Sequence, residues 1–124
     1  MADHIVTKER DGVLIINLVD ARLTEYDQGR GLRSEIECAI DGSATKLVAI
    51  DMSKVEMIAS VAILPLVGSA GRARDAGGEV VFCNMSPLVQ KSLETCHLVV
   101  EHRSHAPQIV YVDDVDAAIA KLTG

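Results

Sequence analysis

Tryptophan is missing from the 124 residues, and one phenylalanine and two tyrosines hold the aromatic share to 2%. Almost nothing is available to stack on bases. Positive charge is scarce as well: twelve Lys and Arg stand against eighteen Asp and Glu, giving a formal net charge of −6 and a pI near 5.1. A chain of that balance is repelled by a phosphate backbone, so direct nucleic-acid binding is not expected. Cysteine is limited to Cys38, Cys83 and Cys96, an odd number without C-x-x-C spacing. Each lies in an apolar-periodic segment and reads as a buried, reduced thiol. A long hydrophobic run is also lacking, because the stretch from Met57 to Gly71 is broken by Ser, Pro and Gly. That argues against a bilayer span, and no membrane association is expected. The N-terminus carries Asp3, Lys8, Glu9, Arg10 and Asp11 with no apolar core, so no secretory signal is expected and the expected location is the cytoplasm.

What is present is a hydrophobic fraction of 48%, enough to exclude disorder, on a chain whose length fits one domain over residues 1–124. Residues His4 to Glu9 alternate loosely, Asp11-Gly12 is a hairpin signal, and Val13 to Leu18 is a more fully apolar strand. The first strand is then an antiparallel edge. Thr24 can cap a helix, with Glu25 and Asp27 in its first turn, and Leu32, Ile36, Ala39 and Ile40 recur at helical spacing up to Gly42. Gly29 and Gly31 each cost that helix about 1 kcal/mol. Lys46 to Asp51 and Glu79 to Cys83 read as buried inner strands. Ser86-Pro87 is a cap followed by proline at the first helical position, and Leu98 to Val100 reads as extended. Ile109 to Val112 is a further extended candidate, after which Asp113 or Asp114 caps a last helix with Val115, Ala118, Ile119 and Leu122 inward. Strands alternating with about four helices imply an α/β domain with a short, mostly parallel sheet and an antiparallel edge strand.

The stretch from Lys46 to Ala76 organises the rest. After its strand, the residues Met52 to Ala59 lead to Ser60, where a helix begins that is apolar through Val67 and charged at Arg72, Arg74 and Asp75, before Gly77-Gly78 stops it. A serine there can simply cap the helix, stabilising it by about 1 kcal/mol. Pro65 predicts a kinked or late-starting helix, with Ile63, Leu64 and Leu66 open to a partner or, alternatively, a proline tolerated near the first turn. Gly68, Ser69, Ala70 and Gly71 are expected to let the helix pack close to a neighbour.

Three segments resemble the STAS domains, the family of sulphate transporters and anti-sigma-factor antagonists: Val48-Ala49-Ile50-Asp51-Met52-Ser53-Lys54-Val55, the run from Ala76 to Pro87, and Val112 to Ile119. The resemblance implies a non-catalytic regulatory module that binds a protein partner such as an anti-sigma factor or serine kinase. It places Ser60 at the family's phosphorylated serine, although the family's Asp-Ser-Ser-Gly or Asp-Ser-Thr-Gly reads Ala59-Ser60-Val61-Ala62 here. Ile58, Ala59, Ser60, Val61 and Leu64 are the expected partner-binding residues. A homodimer is a further partner arrangement consistent with such a module. The alternatives are a constitutive scaffold in a signalling assembly, or a small-ligand or enzymatic module at the same helix start.

Other chemistry finds less support. Cys96, His97, His102 and His105 have ligand types but not the tight paired spacing of a metal site, so neither a metal nor another cofactor is expected. Serine hydrolysis at Ser60 lacks the glycine that a nucleophile elbow needs, and Asp113 and Asp114 read as helix-start residues rather than acid and base.

Overall fold

A computed structural model describes residues 4–101 and 110–124, with side chains up to Thr95 in the first segment. The strand β1 (Ile5–Arg10) turns back into β2 (Val13–Leu18), and the two pair antiparallel from Ile5 opposite Leu18 to Arg10 opposite Val13. The turn between them has Asp11 at φ 54° and Gly12 at φ 79°. Two successive left-handed residues match the twist of a hairpin, which is why Asp-Gly works there.

Short β3 (Arg22–Leu23) precedes α1 (Tyr26–Gly42), then come β4 (Leu47–Asp51), short β5 (Met57–Ile58) and α2 (Ser60–Asp75). They are followed by β6 (Glu79–Cys83), α3 (Pro87–Glu101), β7 (Tyr111–Val112) and α4 (Val115–Thr123). The main sheet runs β1-β2-β4-β6-β7, parallel everywhere except β1 against β2. The expected α/β architecture is therefore present, with Val13–Leu18, Leu47–Asp51 and Glu79–Cys83 as mutually parallel inner strands. Leu14, Ile16, Val48, Ile50, Val80 and Phe82 face α1, α2 and α3, while Val13, Ile15, Ala49, Val81 and Cys83 face α4. Burial on both faces explains why these strands read as continuous apolar runs rather than alternating ones.

Four local expectations need correction. Residues 98–100 continue α3 and are not extended; three consecutive β-branched or branched residues cannot be told from a buried helical turn by periodicity. The N-cap of α1 is Glu25, not Thr24, and the Gln28 side chain supplies the acceptor for the N–H groups of both, at 3.0 Å from Thr24 and 3.3 Å from Glu25. Cys38 is exposed, whereas Cys83 is buried as expected. The helix α2 starts at Ser60, ahead of Pro65, so the proline does not delay it.

The loss of the Pro65 N–H leaves the Val61 carbonyl without its usual intrahelical donor. That carbonyl lies against Gly29 of α1: a Cβ there would meet Val61 O at 2.9 Å, Ala62 Cα at 3.0 Å and Pro65 Cγ at 3.3 Å. The glycine in α1 thus allows two backbones to touch, and on α2 Gly68 lies against the Arg33 side chain of α1, whose Nη1 a Cβ would meet at 3.1 Å, whereas Gly71 faces open space. At the far end of α2 the Gly77 N–H donates to Arg74 O at 3.0 Å, and Gly77 at φ 86° lets the Gly78 N–H reach Ala73 O at 2.8 Å. Those two bonds close the helix and turn the chain into β6.

Candidate functional site

The start of α2 is held by backbone, not by side chains. In the small parallel sheet, Arg22 pairs with Met57 and Leu23 with Ile58. The Glu56 and Met57 N–H groups donate to Ala21 O at 2.7 and 3.2 Å, and the Ala59 N–H donates to Leu23 O at 2.8 Å. Ala59 is the N-cap, in extended conformation, and its carbonyl accepts from Ala62 at 2.9 Å and Ile63 at 3.1 Å. No side chain caps this helix. Ser60 is the first helical residue, one position too late to serve as the cap. The sequence could not resolve that single step, because the short β5 that fixes the register has only two residues.

Ser60 is exposed, and no acid stands in the first turn of α2. The N–H groups of Ser60 and Val61 have no intrahelical acceptor, and the positive end of the helix dipole lies beside them. Of the five expected partner-binding residues, Ser60, Val61 and Leu64 are exposed, Ala59 is half-buried, and Ile58 is buried in the core. Ile63 and Leu66 are buried as well, which corrects the expectation that the proline opens them to a partner. The helix face is simply amphipathic at that point: 62, 63, 66 and 67 go inward and 61 and 64 outward.

Val61 and Leu64 are 40% and 52% exposed, a large apolar presentation for one helical turn. Met57, also partly exposed, precedes them, with the Arg22 guanidinium 3.3 Å from its sulfur. On α1, exposed Tyr26 carries Arg30 over its ring at 5.8 Å and lines one groove with Pro65. Sequence reading singled out neither Met57 nor Tyr26; exposure of an apolar side chain depends on what packs beside it, which spacing does not reveal.

The opposite sheet face has a different chemistry. Asp51 Oδ1 accepts from the Ser53 N–H at 2.9 Å and from Asn84 Nδ2 at 3.1 Å, bracing the loop that leads toward Ser60. Burial, then the charges of Asp51 and Asp114, push the Cys83 thiol up to about 12. It is a neutral packing group and not a nucleophile. Asp114, as anticipated, caps α4 by accepting from the Ala117 N–H at 2.8 Å. The side chains of Cys96 and His97, and all of His102 and His105, lie outside the described residues. Among the described residues, no group of three His, Cys, Asp or Glu side chains could hold a metal, and no helix is long and apolar enough to cross a membrane.

Another cluster, joining residues far apart in the chain, steadies the loop before β3. His4 Nδ1 sits 2.6 Å from Asp20 Oδ2, its backbone N–H donates to Glu35 Oε1 at 2.8 Å, and Gln28 Nε2 donates to Asp20 Oδ2 at 3.3 Å. Gly31 makes room for the ring, since a Cβ there would lie 3.0 Å from His4 Nε2.

This architecture has close counterparts. An anti-sigma-factor antagonist (STAS) domain protein from Planctomyces limnophilus superposes with a TM-score of 0.77 at 22% identity, over 97% of this chain and 98% of that one. The anti-sigma-factor antagonist SpoIIAA in its unphosphorylated form gives 0.66 at 15% identity, over 97% and 98%. A chain from the molecular architecture of the stressosome, a signal integration and transduction hub, gives 0.67 at 18%, over 95% and 96%. At these identities the likeness is one of fold. Among curated proteins, none matches the sequence. The STAS domain family model, however, matches residues 4–102, most of the chain, and this protein therefore belongs to the STAS domain family.

Proposed function

We propose that the chain is a non-catalytic, cytoplasmic protein-interaction module that docks a partner through the start of α2 and is released from it by phosphorylation of Ser60. The carrying observation is an exposed serine hydroxyl that the fold does not use, set at a helix start among exposed Met57, Val61 and Leu64. Apolar side chains around a polar centre supply affinity through desolvation, and the hydroxyl supplies a point where charge can be introduced. A phosphate there would meet open N–H groups and the helix dipole, so the helix tolerates it while the docking surface acquires about two negative charges. The partner class is an anti-sigma factor or serine kinase, by analogy with the antagonists that share the fold. A constitutive scaffold in a signalling assembly is the second reading, favoured by Ala59, which brings no acid beside the acceptor hydroxyl.

Calorimetry against the partner that copurifies from the protein's own cells separates the two. Ser60→Asp should weaken binding at least tenfold while the melting temperature stays near that of the native chain, and Ser60→Ala should bind as the native chain does. Native-like affinity of Ser60→Asp would leave the scaffold as the better account.

A further inference from the structure

Helices α1 and α2 lie side by side and run the same way: Gly29 faces Val61, Ala62 and Pro65, Gly68 faces Arg33, and Arg72 faces Glu37 and Asp41. Between them opens a groove of about 470 Å³, lined by Tyr26, Arg30, Arg33, Glu37, Pro65 and Arg72 among others. Its charges are unequally satisfied. At the far end Arg72 bridges Glu37 at 3.5 Å and Asp41 at 3.4 Å, so those acids are engaged. In the middle Arg33 gives only its Nε to Glu37, at 3.3 Å, while its Nη1 passes over Gly68. Arg30 has no acidic partner among the described residues, and its guanidinium rests over the Tyr26 ring. Two guanidinium groups one helical turn apart thus keep open donors, on a chain whose formal net charge is −6.

We infer that this groove receives a carboxylate-bearing segment of the partner protein, an amphipathic helix with two acids one turn apart set against Arg30 and Arg33. The inference rests on the partner reading above and gives that partner a chemistry. Residues 61, 64, 65, 68 and 72 follow one another at helical spacing along the open side of α2, so a segment seated on Val61 and Leu64 continues into the groove. It meets apolar surface first and unpaired cations next. Carboxylates answer those cations best, because each makes two parallel hydrogen bonds to a guanidinium. The Tyr26 ring orders Arg30 in advance, and exposed Tyr and Arg are the side chains that most often carry binding energy between proteins. A free small anion fits less well, since Tyr26, Arg30, Arg33 and Arg72 are all exposed and the groove would enclose little of it. An acidic partner also gives the proposed switch its direction. Arg30 follows Gly29, which touches Val61, so about two negative charges added at Ser60 would repel carboxylates held beside the same turn.

NMR titration of the nitrogen-15-labelled full chain tests it, the probe being a synthetic amphipathic helical peptide with leucines and a pair of Glu one turn apart on one face. Binding should shift the side-chain Nε–H signals of Arg30 and Arg33 and the backbone signals of Val61, Leu64 and Gly68, and should weaken at least tenfold between about 0.05 and 0.5 M salt. Replacing both Glu of the peptide by Gln, or combining Arg30→Gln with Arg33→Gln in the chain, should each weaken it at least tenfold, the double variant melting near the native temperature. Glu37→Gln removes the acid that competes for Arg33 and should tighten binding severalfold, a gain that damage to the fold does not produce. The inference is overturned if the Glu peptide does not bind, if the Gln peptide binds as well, or if the double variant or Glu37→Gln leaves affinity unchanged. Displacement of the peptide by inorganic phosphate at equal concentration would overturn it too, as the mark of a small-anion site. Failure of the switch reading looks different: Ser60→Asp then binds the Glu peptide as tightly as the native chain while the double arginine variant still loses it.

Discussion

Three helices of this protein begin beside a serine or aspartate, and they use it differently. At α3, Ser86 Oγ accepts from the Val89 N–H at 3.2 Å, and at α4, Asp114 Oδ1 accepts from Ala117 at 2.8 Å. At α2 the cap is Ala59, and Ser60 stands one residue inside with its hydroxyl free of capping duty. The first two starts are stabilised locally by their own side chains. The third is stabilised from outside, by the β3–β5 pair and by α1 pressing Gly29 against Val61 and Ala62. A helix end whose stability comes from its neighbours can present both its hydroxyl and its first N–H groups to something else.

The sharpest way to break this contrast is at Gly29. An alanine there would set its Cβ within 3.0 Å of two backbone atoms of α2, which cannot swing aside as a side-chain tip can. Forced repacking of this kind costs about 1–3 kcal/mol, against the roughly 1 kcal/mol that alanine returns in helix propensity. Gly29→Ala should therefore lower the melting temperature by several degrees and weaken partner binding, because it displaces the turn carrying Val61. A variant that melts at or above the native temperature would mean that α2 is not held from α1.

Removing the caps of the other two helices should have an intermediate effect. Asp114→Ala and Ser86→Ala each take away a side-chain acceptor from a helix start, and each should cost about 1 kcal/mol in denaturant unfolding. Neither residue belongs to the exposed strip around Ser60, so partner affinity should be unchanged. If either variant lost binding at undiminished stability, the docking surface would extend beyond the start of α2.

How much of this was legible beforehand depends on the length of the pattern. The three inner strands and the Ser86 and Asp114 caps were readable, because six-residue apolar runs and a polar residue before proline or a helical repeat are strong local signals. The two-residue strands β3 and β5 were not: neither is long enough to show a period, yet together they decide that Ala59 and not Ser60 is the cap. The burial of Ile63 and Leu66 is hidden from the sequence for a related reason. Pro65 suggested disruption, but the helix absorbs it, since the orphaned Val61 carbonyl faces Gly29, and the apolar face stays inward. The cluster of His4, Asp20 and Glu35 joins three elements far apart in sequence, and nothing local to any of them marks it.

The smallest expected effect is the most informative. Were Ser60 the cap, Ser60→Ala would cost about 1 kcal/mol, as at the other two helices. Placed as the first helical residue with its hydroxyl making no cap bond, it should cost less than about 0.5 kcal/mol, the range of surface substitutions away from such features. Alanine is also the better helix former, so the change could even be slightly stabilising. Denaturant unfolding of Ser60→Ala beside Asp114→Ala, under one buffer, gives the difference directly. A loss at Ser60 equal to that at Asp114 would return the serine to the role of a cap, and its hydroxyl would no longer be spare for the proposed phosphorylation.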